Sequence, residues 1–188
     1  MSIQVGLLRG INVGGHNAVA MSDLRALLTD LGFSGATTLL QSGNVVFRGK
    51  GPGGEALEQL LEKETAKRLG VSVDHLVRSA SEWVKIVADN PFPKEAKNDP
   101  SHLVVMFLKT ASTASAVKSL QASIKGPEVV RGRGKEVYIS YPAGIGTSKL
   151  TGSLNEKRLD SRGTARNWNT VLKLLALATD PDRAGSES

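Results

Sequence analysis

The chain has 188 residues, 40% apolar and 22% charged, which excludes disorder as a starting assumption and supplies core for one large domain or two small ones. Cysteine is absent, which excludes disulfides, thiolate metal sites and cysteine nucleophiles, and no apolar run approaches the ~20 residues of a membrane span. The formal charge of +6 is uneven: residues 1–90 hold nine Lys/Arg against nine Asp/Glu, whereas residues 125–173 hold ten against four.

Residues 3–8 form an apolar run that Arg9 cuts short, too brief for a secretion signal, so a soluble cytoplasmic protein is expected. The run predicts a buried strand emptying into the glycine-rich loop 9–17. Ser22 is expected to cap a helix with Leu24, Leu27, Leu28 and Leu31 on one face and Gly32 as its stop. Residues 37–41 and 44–48 read as strands around a tight turn at Gly43-Asn44, with Val45 and Phe47 facing away from Val46. A flexible connection at 49–54 leads to a helix marked by Leu57, Leu60, Leu61 and Leu69, with Glu64 and Arg68 paired on its wet side. Residues 73–78 close this half as a strand, completing the ferredoxin-like βαββαβ order.

After a short helix at 81–88, Asn90-Pro91-Phe92-Pro93 breaks the chain, and the polar run to Pro100 reads as a connection. Residues 102–108 predict an apolar strand, 114–124 a helix, and 128–131 with 136–141 a strand pair around Gly132-Arg133-Gly134-Lys135. A glycine-rich connection at 144–152 and a polar segment lead to the last helix, without an evident final strand. The fold class expected is α+β: two ferredoxin-like subdomains related by duplication, at 1–89 and 90–179, followed by a disordered tail at 180–188.

The last helix is expected to open at Thr164 as N-cap, with Gly163 turning the chain in and Val171, Leu172, Leu175 and Ala178 after Trp168 forming its buried face. Arg166, Asn167, Asn169 and Thr170 would then sit in its first turns, where free N–H groups and the dipole favour an anion. A buried Trp168 beside a solvated polar turn is the plainer account. The Gly10–Gly15 loop follows a strand, a common ligand position, but matches neither the dinucleotide nor the P-loop spacing. Residues 144–149 carry the ingredients of a backbone anion nest without the P-loop spacing. Ser115 and Lys118 match S-x-x-K by coincidence, and His16, His75 and His102 stand apart without metal-ligand spacing. With two Trp, two Tyr and four Phe, base stacking is poorly served, so any nucleic-acid contact would be made through phosphates.

Leu8-Arg9-Gly10-Ile11-Asn12-Val13-Gly14-Gly15, Leu40-Gln41-Ser42-Gly43-Asn44-Val45-Val46-Phe47, Asn90-Pro91-Phe92 and Thr164-Ala165-Arg166-Asn167-Trp168-Asn169-Thr170, in this order, resemble the bacterial family catalogued as domain of unknown function 1697 (DUF1697). The resemblance runs over nearly the whole chain. It implies a cytoplasmic α+β fold of two ferredoxin-like subdomains and no assigned activity, and its motif residues map onto Arg9, Asn12, Gln41, Ser42, Asn44, Arg166, Asn167, Trp168 and Thr170.

The sequence thus offers three readings. In the first, a protein binds an anionic, phosphate-bearing ligand or nucleic acid in a cleft between the subdomains: Arg9 and Arg166 neutralise it, Asn12, Asn44 and Asn167 orient it, and Thr164 with the N–H groups of Gly10, Gly14 and Gly15 completes the cradle. The second is an enzyme acting on a small phosphorylated or nucleotide substrate there, with His16 as the base at hand. The third is a structural or interaction module whose motif residues, Gln41, Ser42, Trp168 and Thr170 included, hold the subdomains by hydrogen bonds. Cofactor, catalysis and oligomeric state are open in all three.

Overall fold

Residues 1–180 are described by the structure, a computed structural model. The apolar run at the start becomes β1 (Ser2–Leu8), and it lies between two partners because both of its faces and both of its edges are apolar or satisfied. β3 (Asn44–Gly49) pairs with one edge and β4 (His75–Ser79) with the other, both antiparallel, and β2 (Ser34–Leu39) extends the sheet beyond β3. The strand order is β2-β3-β1-β4. Helices α1 (Met21–Asp30) and α2 (Gly54–Leu69) supply Leu24, Leu28, Leu57 and Leu61 to a core completed by Leu8, Val45, Phe47 and Val77 from the sheet. Val45 and Phe47 therefore face the helices, and Val46 the other side, as the alternation predicts. That second face is buried as well, at Val5, Leu7, Val46 and Leu76.

The second sheet repeats this plan with β5 (Leu103–Leu108), β6 (Val129–Arg133), β7 (Glu136–Ser140) and β8 (Gly163–Asn167), ordered β6-β7-β5-β8. Helices α5 (Ala114–Ser123) and α6 (Gly152–Leu159) bury Leu120 and Leu159 against Val104, Met106, Val137 and Ile139. The duplication extends to register. Val5 stands between Val46 and Arg78 in the first sheet, and Val105 stands between Tyr138 and Arg166 in the second. Leu8 N donates to Gly43 O and Leu108 N to Lys135 O, both at 2.8 Å. Each fourth strand runs straight into a further helix, α3 (Ala80–Ala88) after β4 and α7 (Trp168–Ala178) after β8. The fold is a duplicated ferredoxin-like α+β arrangement. Its two compact units comprise, among the described residues, 1–85 with 173–180, and 86–172.

Several local expectations are corrected. Thr164 is not an N-cap: residues 163–167 form β8, and α7 starts at Trp168. The open edge of the apolar β5 needs a partner, and that pairing overrides the weak strand propensity of Gly-Thr-Ala-Arg-Asn. Gly163 is required there, because a Cβ would stand 2.4 Å from Phe107 O. The polar segment before it is α6, N-capped by Thr151 Oγ1, which accepts from Leu154 N at 3.3 Å; its sequence buries only Asn155 and Leu159, too little periodicity to read. The polar run after Phe92 holds a short helix, α4 (Pro93–Asn98), with proline at the position that needs no N–H donor. Ser22 does not cap α1, which starts at Met21 after Ala20. The β2–β3 turn spans four residues, 40–43, and Asn44 already belongs to the strand. The β6–β7 turn is the two-residue Gly134-Lys135, with Gly134 at φ +64°. Glu64 and Arg68 do pair, at 2.8 Å, but Glu64 is buried rather than on a wet face. On α7 the buried stripe is Trp168, Val171, Leu174 and Ala178, and Leu172 is 40% exposed. Of the expected tail, residues 181–188 lie outside the described residues.

Candidate functional site

The first unit brings the two N-terminal motifs into one hydrogen-bonded latch. Leaving β1, Arg9 N donates to Asp74 O at 3.0 Å, and its guanidinium lies 3.7 Å from the buried carboxylate of Asp74. Asn12 adopts φ +53°, a left-handed conformation that asparagine tolerates better than most residues. Its Nδ2 donates to Val19 O at 2.9 Å and Gln41 O at 2.7 Å, and its Oδ1 accepts from Val19 N at 2.9 Å. Both amide donors are therefore spent on tying the loop to the turn. Across the latch, Asn44 is fully buried and donates to Leu39 O at 2.8 Å and Ser42 Oγ at 3.0 Å. Beneath it Ile11 is a core residue.

Gly43 closes the latch at φ +77°, where a Cβ would stand 2.7 Å from both Leu8 Cβ and Ile11 Cδ1. Gly43→Ala combines left-handed strain with overpacking and is expected to cost about 2–4 kcal/mol. Denaturant unfolding checks this, and a loss within 0.5 kcal/mol, the ordinary scatter of about that size for a surface change, would show the turn to be freely deformable.

The loop held by this latch is preorganised to its tip. Val13 and His16 form a bridge around Gly14 and Gly15, at φ +59° and +78°, the pair of left-handed residues that defines a type I′ turn. Asn17 Nδ2 donates back to Gly10 O at 3.2 Å. Among the described residues the N–H groups of Gly10, Gly14 and Gly15 meet no protein acceptor, and all three glycines are exposed. Val13 is 67% exposed and Leu40, itself left-handed at φ +62°, 57%.

Thr164, Arg166, Asn167, Trp168 and Thr170 belong to the second unit and form their own cluster there. Arg166 is 9% exposed on β8, and its Nη1 donates to Thr164 Oγ1 at 2.7 Å and Ala165 O at 2.8 Å. Burial pushes its pKa down to about 10. Asn167 Oδ1 accepts from Thr170 N at 3.0 Å and so fills the capping position expected of Thr164. Trp168 and Thr170 are buried. The sequence gives no hint of the counterpart in the first unit: Arg78, at the same register, is also buried and donates to Val77 O at 2.9 Å. Buried arginine at this position is thus a repeated feature of the fold. Asp74 and Glu58, which face Arg9 and Arg78, escape sequence reasoning because only tertiary contact brings them near, Asp74 through the approach of the chain entering β4 to the end of β1 and Glu58 through the packing of α2 on β4.

Of the 144–149 stretch, Thr147, Ser148 and Lys149 line a cavity of about 360 Å³ with Lys125 and Glu128. There Ser148 Oγ donates to the buried carboxylate of Glu128, a negative group that disfavours an anion. His75 Nε2 lies 2.9 Å from Thr65 Oγ1, and His102 Nδ1 lies 2.8 Å from Asp99, whose carboxyl it holds below the usual carboxylate range. Among the described residues no three His, Cys, Asp or Glu side chains gather as a metal site, and no helix is long and apolar enough to cross a membrane.

Two βαββαβ units of matched register, with a glycine-rich latch on the first, define a duplicated ferredoxin-like protein. The chain belongs to the family described as "Protein of unknown function (DUF1697)", which matches residues 1–138. That span contains the motifs at 8–15, 40–47 and 90–92 and ends before 164–170, so the family match is shorter than the motif resemblance suggests. A solved structure, the conserved bacterial protein SP0830 from Streptococcus pneumoniae, is similar with a TM-score of 0.72 and 22% identity, over 95% of this chain and 99% of that one. At that identity the likeness concerns the fold. No curated protein matches the chain.

Proposed function

We propose that the protein binds an anionic, phosphate-bearing ligand at the 9–18 loop. The observation that carries this reading is the loop itself, in which exposed Gly10 near its base and Gly14 and Gly15 at its tip have left-handed backbone and N–H groups with no acceptor among the described residues. In this reading the free amides of the loop receive the anion, and the half-exposed Arg9 at the base of the loop adds a cation. Asn12, Gln41, Ser42 and Asn44 act as positioning residues, since their polar groups serve the latch. Thr164, Arg166, Asn167, Trp168 and Thr170 have the weaker case as ligand contacts, and the reading gives them the task of holding β8 to α7. An enzymatic version would take its base from His16, exposed on the same loop.

A thermal-shift titration with inorganic pyrophosphate at low salt tests the proposal. Wild type is expected to show a saturable rise in Tm, and Arg9→Ala to need at least about tenfold more pyrophosphate for the same rise. Equal responses of the two proteins, or none, would leave the latch as a purely structural device.

A further inference from the structure

We propose that the second unit carries a separate phosphate site at the free edge of β6, in a cavity of about 400 Å³ beneath α5. β6 is an edge strand, whose outward backbone groups need partners. Gln121 supplies them over part of the strand: its Oε1 accepts from Val130 N at 2.6 Å and its Nε2 donates to Glu128 O at 3.2 Å. Beyond Gln121 the edge opens into the cavity. Val117 of α5 comes down onto Gly132 so closely that a Cβ there would stand 2.7 Å from Val117 Cγ2, and this approach forms one wall.

The basic residues that line that space are Lys118 on α5 and Arg131 and Arg133 on β6, all three exposed, and no Asp or Glu lines it. Arg131 Nη1 donates to Val130 O at 2.9 Å and Arg133 Nη1 to Gly132 O at 3.3 Å, so each guanidinium is tethered to the strand by one nitrogen and keeps its other donors. None of the three cations makes an ion pair among the described residues, and the nearest carboxylate in register is Glu136, opposite Arg133 on β7. Ser112 on the same wall has its Oγ closed off from solvent without a hydrogen-bond partner. Three like charges around one cavity repel one another, and a multivalent anion offsets that repulsion. Guanidinium forks match the paired oxygens of phosphate and carboxylate alike, and three positive charges favour the multivalent phosphate over a halide or a single carboxylate. The 360 Å³ cavity is of mixed charge, because Glu128 lies in its wall beside Lys125 and Lys149. This site shares the phosphate chemistry proposed for the 9–18 loop but none of its residues, so either can fail alone.

The test is a pyrophosphate titration of the full chain at low salt, followed at the amide resonances of Ala114, Lys118, Gly132 and Gly134. Saturable shifts are expected at these amides; Lys118→Ala with Arg131→Ala should weaken them at least about tenfold, Arg131→Lys by less, and Arg9→Ala not at all. A single-stranded oligonucleotide that binds more tightly than pyrophosphate through the same side chains would assign the phosphate to a nucleic-acid backbone; weaker binding would assign it to a free phosphate compound. Either outcome keeps the site. Amides that do not move, or shifts that survive the double substitution, overturn it.

Discussion

Trp168→Ala is expected to lower the unfolding free energy by about 3–5 kcal/mol. The ring opens α7 immediately after β8, is 4% exposed, and heads the stripe that continues through Val171, Leu174 and Ala178. Its removal loses the transfer free energy of the indole and leaves a cavity that the helix and strand, pinned by the Asn167 cap and the β5 pairing, cannot close. Leu172→Ala on the same helix is the control. That side chain is 40% exposed, and its loss should stay below about 1 kcal/mol. Urea unfolding with an unchanged m-value measures both, and equal losses for the two would mean that Trp168 does not anchor the helix.

Glu58→Leu is expected to cost a similar about 3–5 kcal/mol, for an electrostatic reason. Glu58 is 2% exposed; its Oε1 accepts from Val77 N at 2.8 Å and lies 3.5 Å from Arg78 Nη1. Removing the carboxylate takes the acceptor from the buried Val77 N–H and a negative charge from beside the buried Arg78. The double variant Glu58→Leu/Arg78→Met should recover part of the loss, since replacing both members by apolar groups removes the uncompensated charge. A double-mutant cycle reads the coupling, and a coupling near zero would show that solvent or other groups carry the stabilisation.

The duplicated architecture was legible where apolar runs were dense. Residues 3–8 and 103–108 announce the central strands, and the leucines of α1 and α2 announce the helices that cover the first sheet. β8 was illegible, because Gly163, Thr164 and Ala165 carry no strand pattern and acquire one only from the edge of β5. α6 failed for a related reason: with two buried residues it owes its helical state to the Thr151 cap and packing. At the candidate site the motif residues could be named from sequence, but their employment could not. Asn12 and Asn44 look like ligand-orienting amides until the Val19, Gln41, Leu39 and Ser42 groups that occupy them come into view. The proposed contact with an anion then falls to the backbone of Gly10, Gly14 and Gly15, whose φ values no spacing rule supplies.

The central claim is that these backbone amides receive a phosphate group. Amide chemical shifts of the full chain during a pyrophosphate titration address it most directly. Saturable shifts are expected at Gly10, Gly14 and Gly15 that share one dissociation constant and weaken when Arg9 is replaced by alanine. Unmoved loop amides, with pyrophosphate perturbing only scattered lysines in proportion to its concentration, would contradict it.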